Sequence, residues 1–178
     1  MPKTNYQLVA AMNTAFGNPK GNPQEIDWNR VRKQSLNIVD EFGELMVALG
    51  ADKNIIKAAI ENMKWAATRV VNPVDPEGVR DALCDIHVFA YGSHHFMGID
   101  ADVDMVAVVD GVMTRFVKDY ADLVATVALH AAKGVTDVYF EGEYPTMVMK
   151  SASDQPDAPK GKFLKSASYE QTTFPSVI

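Results

Sequence analysis

Residues 26–50, IDWNRVRKQSLNIVDEFGELMVALG, decide how the rest of the chain is read. The apolar positions Ile26, Val31, Leu36, Ile38, Val39, Phe42, Leu45, Met46 and Leu49 follow helical spacing and not the period-two alternation of a strand, and Gly50 ends the run. Inside this helix lies Asp40-Glu41-Phe42-Gly43-Glu44. Glu41 and Glu44 stand three apart and therefore share a face, where like charges repel.

The same pattern extends outward in both directions. Residues 3–16 (KTNYQLVAAMNTAF) read as a helix that the Gly17–Pro23 stretch stops. Residues 52–71 read as another, with Asp52 as its N-cap and Asn72-Pro73 after it. Asp75-Pro76-Glu77 opens a further helix, VRDALCDIHVFAYGSHHFMG follows to Gly98, and its near-unbroken apolar run predicts a largely buried element. Residues 103–118 and about 120–132 continue the helical pattern, which Lys133-Gly134 ends. VTDVYF and TMVMK flank a Gly- and Pro-containing turn and read as a hairpin, and residues 161–178 read as an extended tail with at most one short strand. The expected architecture is an all-α helical bundle in one domain, 1–178, with a helical core over 1–133 and a β-hairpin and lysine-bearing tail over 134–178.

Composition narrows the function. Lys and Arg number 17 against 23 Asp and Glu, a net charge of −6, which argues against a nucleic-acid partner that must be held by neutralising many phosphates. Residues 150–178 alone carry four lysines against three acids, a balance that suits a small anion bridged by cations. Cys84 is the single cysteine, so any metal is held by oxygen or imidazole. Without a basic start plus apolar run near the beginning, or a window of about 18 apolar residues, the expectation is a cytoplasmic protein with no membrane partner.

A second acid pair, Asp81 and Asp85, stands four apart among Leu83, Ile86, Val88 and Phe89. Apolar neighbours on more than one side predict that both pairs face an interior, where unpaired carboxylates are costly unless a cation compensates. Carboxylates favour hard cations, so Mg2+ or Mn2+ is the expected metal. Cys84 reads as a small core residue, and Trp65 reads as core more readily than as a stacking surface for a base. His94 and His95 point to different helix faces and read as structural or surface groups.

The Glu-x-x-Glu helix followed by an acid-x-x-x-Asp helix resembles the all-α pyrophosphohydrolases that include MazG, the dimeric dUTPases and phosphoribosyl-ATP pyrophosphohydrolase. The AFGNP segment, DALCDIHVFAYG, Gly98-Ile99-Asp100 and GKFLKSASY extend the resemblance over nearly the whole chain. It implies metal-binding roles for Glu41, Glu44 and Asp85, two or more ions per site, and a glutamate, Glu41 or Glu44, that positions or deprotonates the attacking water. The family pattern puts a glutamate at 82, where this chain has Ala82, and Asp81 is the acid on offer. Two further departures are the added sequence between the acidic motifs, which contains Trp65 to Arg69, and Gly111–Phe116 (GVMTRF), where many relatives have Ser-Asn-Met-Ser-Lys-Phe. The phage subgroup MazZ, which turns deoxyguanosine triphosphate into its monophosphate to feed synthesis of 2-aminoadenine nucleotides, is similar in its tail and in the altered GVMTRF segment.

The expected activity is cleavage of a nucleoside triphosphate, (d)GTP in the specific reading, to monophosphate and pyrophosphate. Arg115, Lys118, Lys162 and Lys165 are the candidates for phosphate contact, Trp65 for stacking on the base, and Tyr169, with Ser166 and Ser168, for closing the pocket. The resemblance implies a homodimer or homotetramer. Alternatives are a broad house-cleaning, dUTP or phosphoribosyl-ATP hydrolase, or a noncatalytic helical binding module.

Overall fold

The computed structural model describes residues 3–174, so the last four residues of the expected tail lie outside it. Six helices and one small sheet occupy the described residues: α1 (Asn5–Ala15), α2 (Trp28–Ala48), α3 (Lys53–Ala67), α4 (Pro76–Met97), α5 (Ala101–Met113), α6 (Tyr120–Ala131), β1 (Val138–Glu141), β2 (Val148–Ser151) and β3 (Phe163–Leu164). The helical architecture with a small β part is as the sequence predicts.

Local chemistry explains the boundaries. Thr4 and Gln7 form a reciprocal capping box at the start of α1. The Asp27 carboxylate accepts from Asn29 N and Arg30 N (3.0 and 3.1 Å), which starts α2 at Trp28 and not at Ile26. Asp52 does the same for α3 through Asn54 N and Ile55 N. Helix α3 stops at Ala67, short of 71, where the Thr68 hydroxyl donates to Trp65 O at 2.7 Å. Asp100 caps α5 two residues before the expected start. Its end at Met113 corrects the helix read to 118: the Thr114 hydroxyl donates to Gly111 O, and Val117 N donates to Met147 O at 2.9 Å. Gly50 and Gly134, both with positive φ (98° and 80°), end their helices as read.

The contacts divide the chain into two compact units, Gly21–Asp85 and the residues on either side of it, with α4 running through the boundary. In the unit formed by the flanking residues, the strands lie in the order β1-β2-β3, antiparallel, with Phe140 opposite Met149 and Met149 opposite Leu164. Val135, Met149, Ala158 and Leu164 make its buried core. Helix α1 packs on α5. Phe16, which follows α1, meets Phe116 and Phe163 at ring-centroid distances of 4.5 and 5.3 Å.

In the Gly21–Asp85 unit, α2 packs on α3 and Gly43 is the one buried residue among those described. A Cβ at Gly43 would come within 2.8 Å of Ile60 Cγ1, so the missing side chain is what lets the helices approach.

Helix α4 corrects an expectation. No residue of it is buried; Phe89 is 73% exposed and Phe96 90%. An apolar run shows that a helix has faces to cover, but not that the covering surface belongs to the same chain.

Candidate functional site

Helix α2 places its acids through its contact with α3. Asp40 and Gly43, three apart, face α3: Lys64 Nζ reaches both carboxylate oxygens of Asp40, at 2.7 and 3.0 Å, while Gly43 meets Ile56 and Ile60. Glu41 and Glu44 each follow one of these residues and so lie about 100° further round the helix, away from that contact. Both are exposed. On α4, Asp81 and Asp85 lie one turn apart and are exposed as well, as is Cys84. The interior setting expected for the two pairs and for Cys84 is therefore corrected, because the apolar residues beside the acids, Phe42 and Leu45 among them, are themselves about half exposed. None of the four acids forms an ion pair with a described residue. Among the described residues, no three His, Cys, Asp or Glu side chains come together as a metal-holding group. Each pair offers oxygen donors of the kind a hard divalent cation takes, but the two pairs are not brought together as one ligand set among the described residues.

A groove of about 700 Å³ lies in the same unit, and the reading of the sequence missed it. Trp28, Arg32, Ser35 and Val39 line one side from α2; Asn72 and Asp75 contribute from the segment before α4, and Ala82 from α4 itself. The signal was available, since positions 28, 32, 35 and 39 recur at helical spacing and begin with a tryptophan just inside the Asp27 cap. Val39 precedes Glu41 by two residues and Ala82 adjoins Asp81, so the groove ends beside both acidic stretches in sequence. Trp65 is neither core nor part of this groove: it is 62% exposed, and the Arg69 guanidinium stacks 4.6 Å from its ring centroid. His94 lies 4.0 Å from Asp104, a structural contact that agrees with the reading made of it.

The basic candidates belong to the other unit. Arg115 and Lys118 lie in the turn after α5 and not one helical turn apart, a further correction that follows from the early end of α5. Lys118 is exposed. The structure brings Arg115, Lys165 and Tyr169 together: the Lys165 ammonium lies 4.0 Å and the Arg115 guanidinium 5.7 Å from the Tyr169 ring centroid. Lys165, first by hydrogen bonding to the phenolate oxygen and then by its charge, with smaller contributions of both kinds from Arg115, lowers the Tyr169 hydroxyl below its usual value. Arg115 Nε is buried and has no hydrogen-bond partner among the described residues.

The tail that carries Lys165 and Tyr169 is fastened at residues 166–168. Ser166 Oγ donates to Thr114 O (2.7 Å), Ala167 N to Thr126 Oγ1 (2.8 Å), and Ser168 N and Oγ to the two oxygens of the buried Asp122 (3.1 and 2.9 Å). Ser166 and Ser168, read as groups that close a pocket, thus have their hydroxyls turned to holding the tail. Gly111 permits the last stretch to lie on α5, since a Cβ there would meet Thr172 Oγ1 at 2.4 Å.

Comparison with protein families, curated proteins and solved structures returned no match. Among the described residues, no helix is long and apolar enough to cross a membrane.

Proposed function

We propose that the protein is a divalent-metal-dependent nucleoside triphosphate pyrophosphohydrolase of the MazG-like type, acting on (d)GTP in the manner of the MazZ subgroup and working in the cytoplasm. The observation that carries this reading is the division of labour within Asp40-Glu41-Phe42-Gly43-Glu44. Lys64 and Ile60 hold Asp40 and Gly43 against α3, and this docking directs Glu41 and Glu44 away as a fixed pair of oxygen donors.

On this reading Glu41, Glu44, Asp81 and Asp85 would hold Mg2+ or Mn2+, two or more ions, which when bound neutralise triphosphate charge and acidify a water. One of the glutamates, Glu41 or Glu44, orients that water and takes its proton. The water oxygen forms the new bond to phosphorus, the anhydride between the α- and β-phosphates breaks, and pyrophosphate leaves a monophosphate behind. The Trp28 groove, mostly apolar but lined also by Arg32, Ser35, Asn72 and Asp75, suits a nucleobase better than the Arg69-covered Trp65 does. Arg115, Lys118, Lys162 and Lys165 belong to the other unit and are not assigned to this site.

A homodimer or homotetramer belongs to the same reading, because a second copy would cover the apolar faces of α4. Those faces also favour a second reading, a noncatalytic assembly module. Incubation with each nucleoside triphosphate and Mg2+ or Mn2+, followed by product identification, tests the enzyme. Orthophosphate as the sole first product would sink it, and turnover of dUTP or phosphoribosyl-ATP well above dGTP would move the substrate. An assembly module keeps its oligomeric state in Glu44→Ala and shows no turnover before or after the change.

A further inference from the structure

The fastened tail and the end of α6 enclose a cleft of about 570 Å³, within the range of small-molecule sites. Its lining carries Lys133, Lys162 and Lys165, together with His130, against a single carboxylate, Asp157. In a chain of net charge −6 this is a local reversal of sign. Neither Lys133, Lys162 nor Lys165 forms an ion pair with a described residue. Lys162 Nζ donates to the backbone carbonyl of Asp157, which leaves its charge uncompensated.

The lysines stand on a prepared frame. Leu164 and Ser166 are buried while Lys165 between them is exposed, the alternation that turns one side chain of an extended segment outward. His130 Nε2 lies 2.9 Å from Lys165 O; a carbonyl only accepts, so the imidazole donates and pins the backbone at the lysine. Arg115, outside the lining itself, lies 5.7 Å from the ring centroid of Tyr169, one of the residues that line the cleft.

From this convergence we propose that the cleft between α6 and the tail binds a small phosphate-bearing anion directly, through Lys133, Lys162 and Lys165 and without a bridging metal. Lys133 and His130 thereby join the binding residues, the first as a contact and the second as a positioning group. Cations held on a rigid segment lose less entropy on binding than free side chains, and phosphate oxygens are the acceptors that satisfy several ammonium groups at once. The proposal goes beyond the hydrolase reading and does not depend on it.

Titration calorimetry of the whole protein with inorganic pyrophosphate, in buffer containing EDTA, tests it. Saturable binding of one pyrophosphate per chain is expected for the wild type and unchanged for Glu44→Ala, whatever becomes of turnover. Lys133→Glu, at an exposed position, should weaken binding at least tenfold with an unaltered circular dichroism spectrum and melting temperature, and Lys165→Ala should do the same should Lys133→Glu prove unstable. Absence of binding to the wild type, or equal affinity in both variants, overturns the proposal. So does a single-stranded oligonucleotide that binds far more tightly than pyrophosphate, since that would make the cleft part of a polymer track. Failure of the hydrolase reading has a separate signature: pyrophosphate binding without triphosphate turnover.

Discussion

Lys64 holds both carboxylate oxygens of Asp40, at 2.7 and 3.0 Å, across the contact between α2 and α3. The pair is partly exposed, so its own contribution to stability is about 1 kcal/mol or less. Its weight lies in orientation. With Asp40 turned to α3, the neighbouring Glu41 is turned elsewhere, and the helix between Asp52 and Thr68 becomes the support of the acidic one.

Gly43→Ala tests that support. The added methyl would stand 2.8 Å from Ile60 Cγ1, and overpacking of this kind typically costs about 1–3 kcal/mol. Thermal denaturation should show a melting temperature lower by several degrees, whereas Lys64→Ala should lower it by about a degree or two. Equal melting temperatures for Gly43→Ala and the wild type would show that α2 and α3 can part without loss.

Glu44→Gln and Asp85→Asn keep side-chain size and remove charge. Each should lower triphosphate turnover by about a hundredfold or more while leaving the melting temperature within about a degree, because both positions are exposed. Asp81→Asn asks whether the acid one place before the expected position contributes. A turnover loss like that of Asp85→Asn would place it in the site, and wild-type turnover would remove it.

Asp122→Ala should be among the more disruptive changes in the chain. Asp122 is 6% exposed and accepts from Lys118 N, Ser168 N and Ser168 Oγ. Hydrogen bonds to a charged group contribute about 1.5–3 kcal/mol each, although they do not add in full. Hydrogen exchange should rise across residues 163–172 before it rises in α1. Unchanged exchange in the tail would show that Thr126 and Thr114 suffice to hold it.

Tyr169 provides a reporter for the tail. Its hydroxyl is lowered from the usual value of 10.0, so an ultraviolet absorbance titration should show a tyrosine step below that value that is lost in Tyr169→Phe and moves up in Lys165→Ala. The favoured form is the phenolate. Its interaction with the cations is therefore absent below the folded-state value, grows as pH rises through that value toward 10, and is fully present only above it. A single titration step common to all tyrosines would sink this assignment.

Much of the fold was legible because its signals are local. Asp52, Gly50 and Gly134 mark helix ends with groups that act within a turn, and the hairpin announces itself by β-prone runs around Glu141–Pro145. The candidate site was legible only as a stripe. Spacing places Glu41 beside Glu44 on one face, but the choice of face depends on Lys64, which reaches Asp40 from 24 positions further along and which no periodicity reveals. The same holds for the tail: Asp122 and Ser168 meet across 46 residues, so what reads as a loose extension is a fastened element. The exposure of α4 is not legible in the sequence, because apolar content marks a face that needs cover and not what covers it.

The trio of Phe16, Phe116 and Phe163 also sets an order of events during synthesis. The first ring emerges from the ribosome about 100 residues before the second and almost 150 before the third. Helix α1 must therefore wait, and the Gly21–Asp85 segment is complete while the residues on either side of it are still unable to close. A chain released before Phe163 would lack β3 and the Leu164 side chain of the core, which leaves α1 and Phe116 without their last neighbour. A chain that stops short of Phe163 should thus be aggregation-prone.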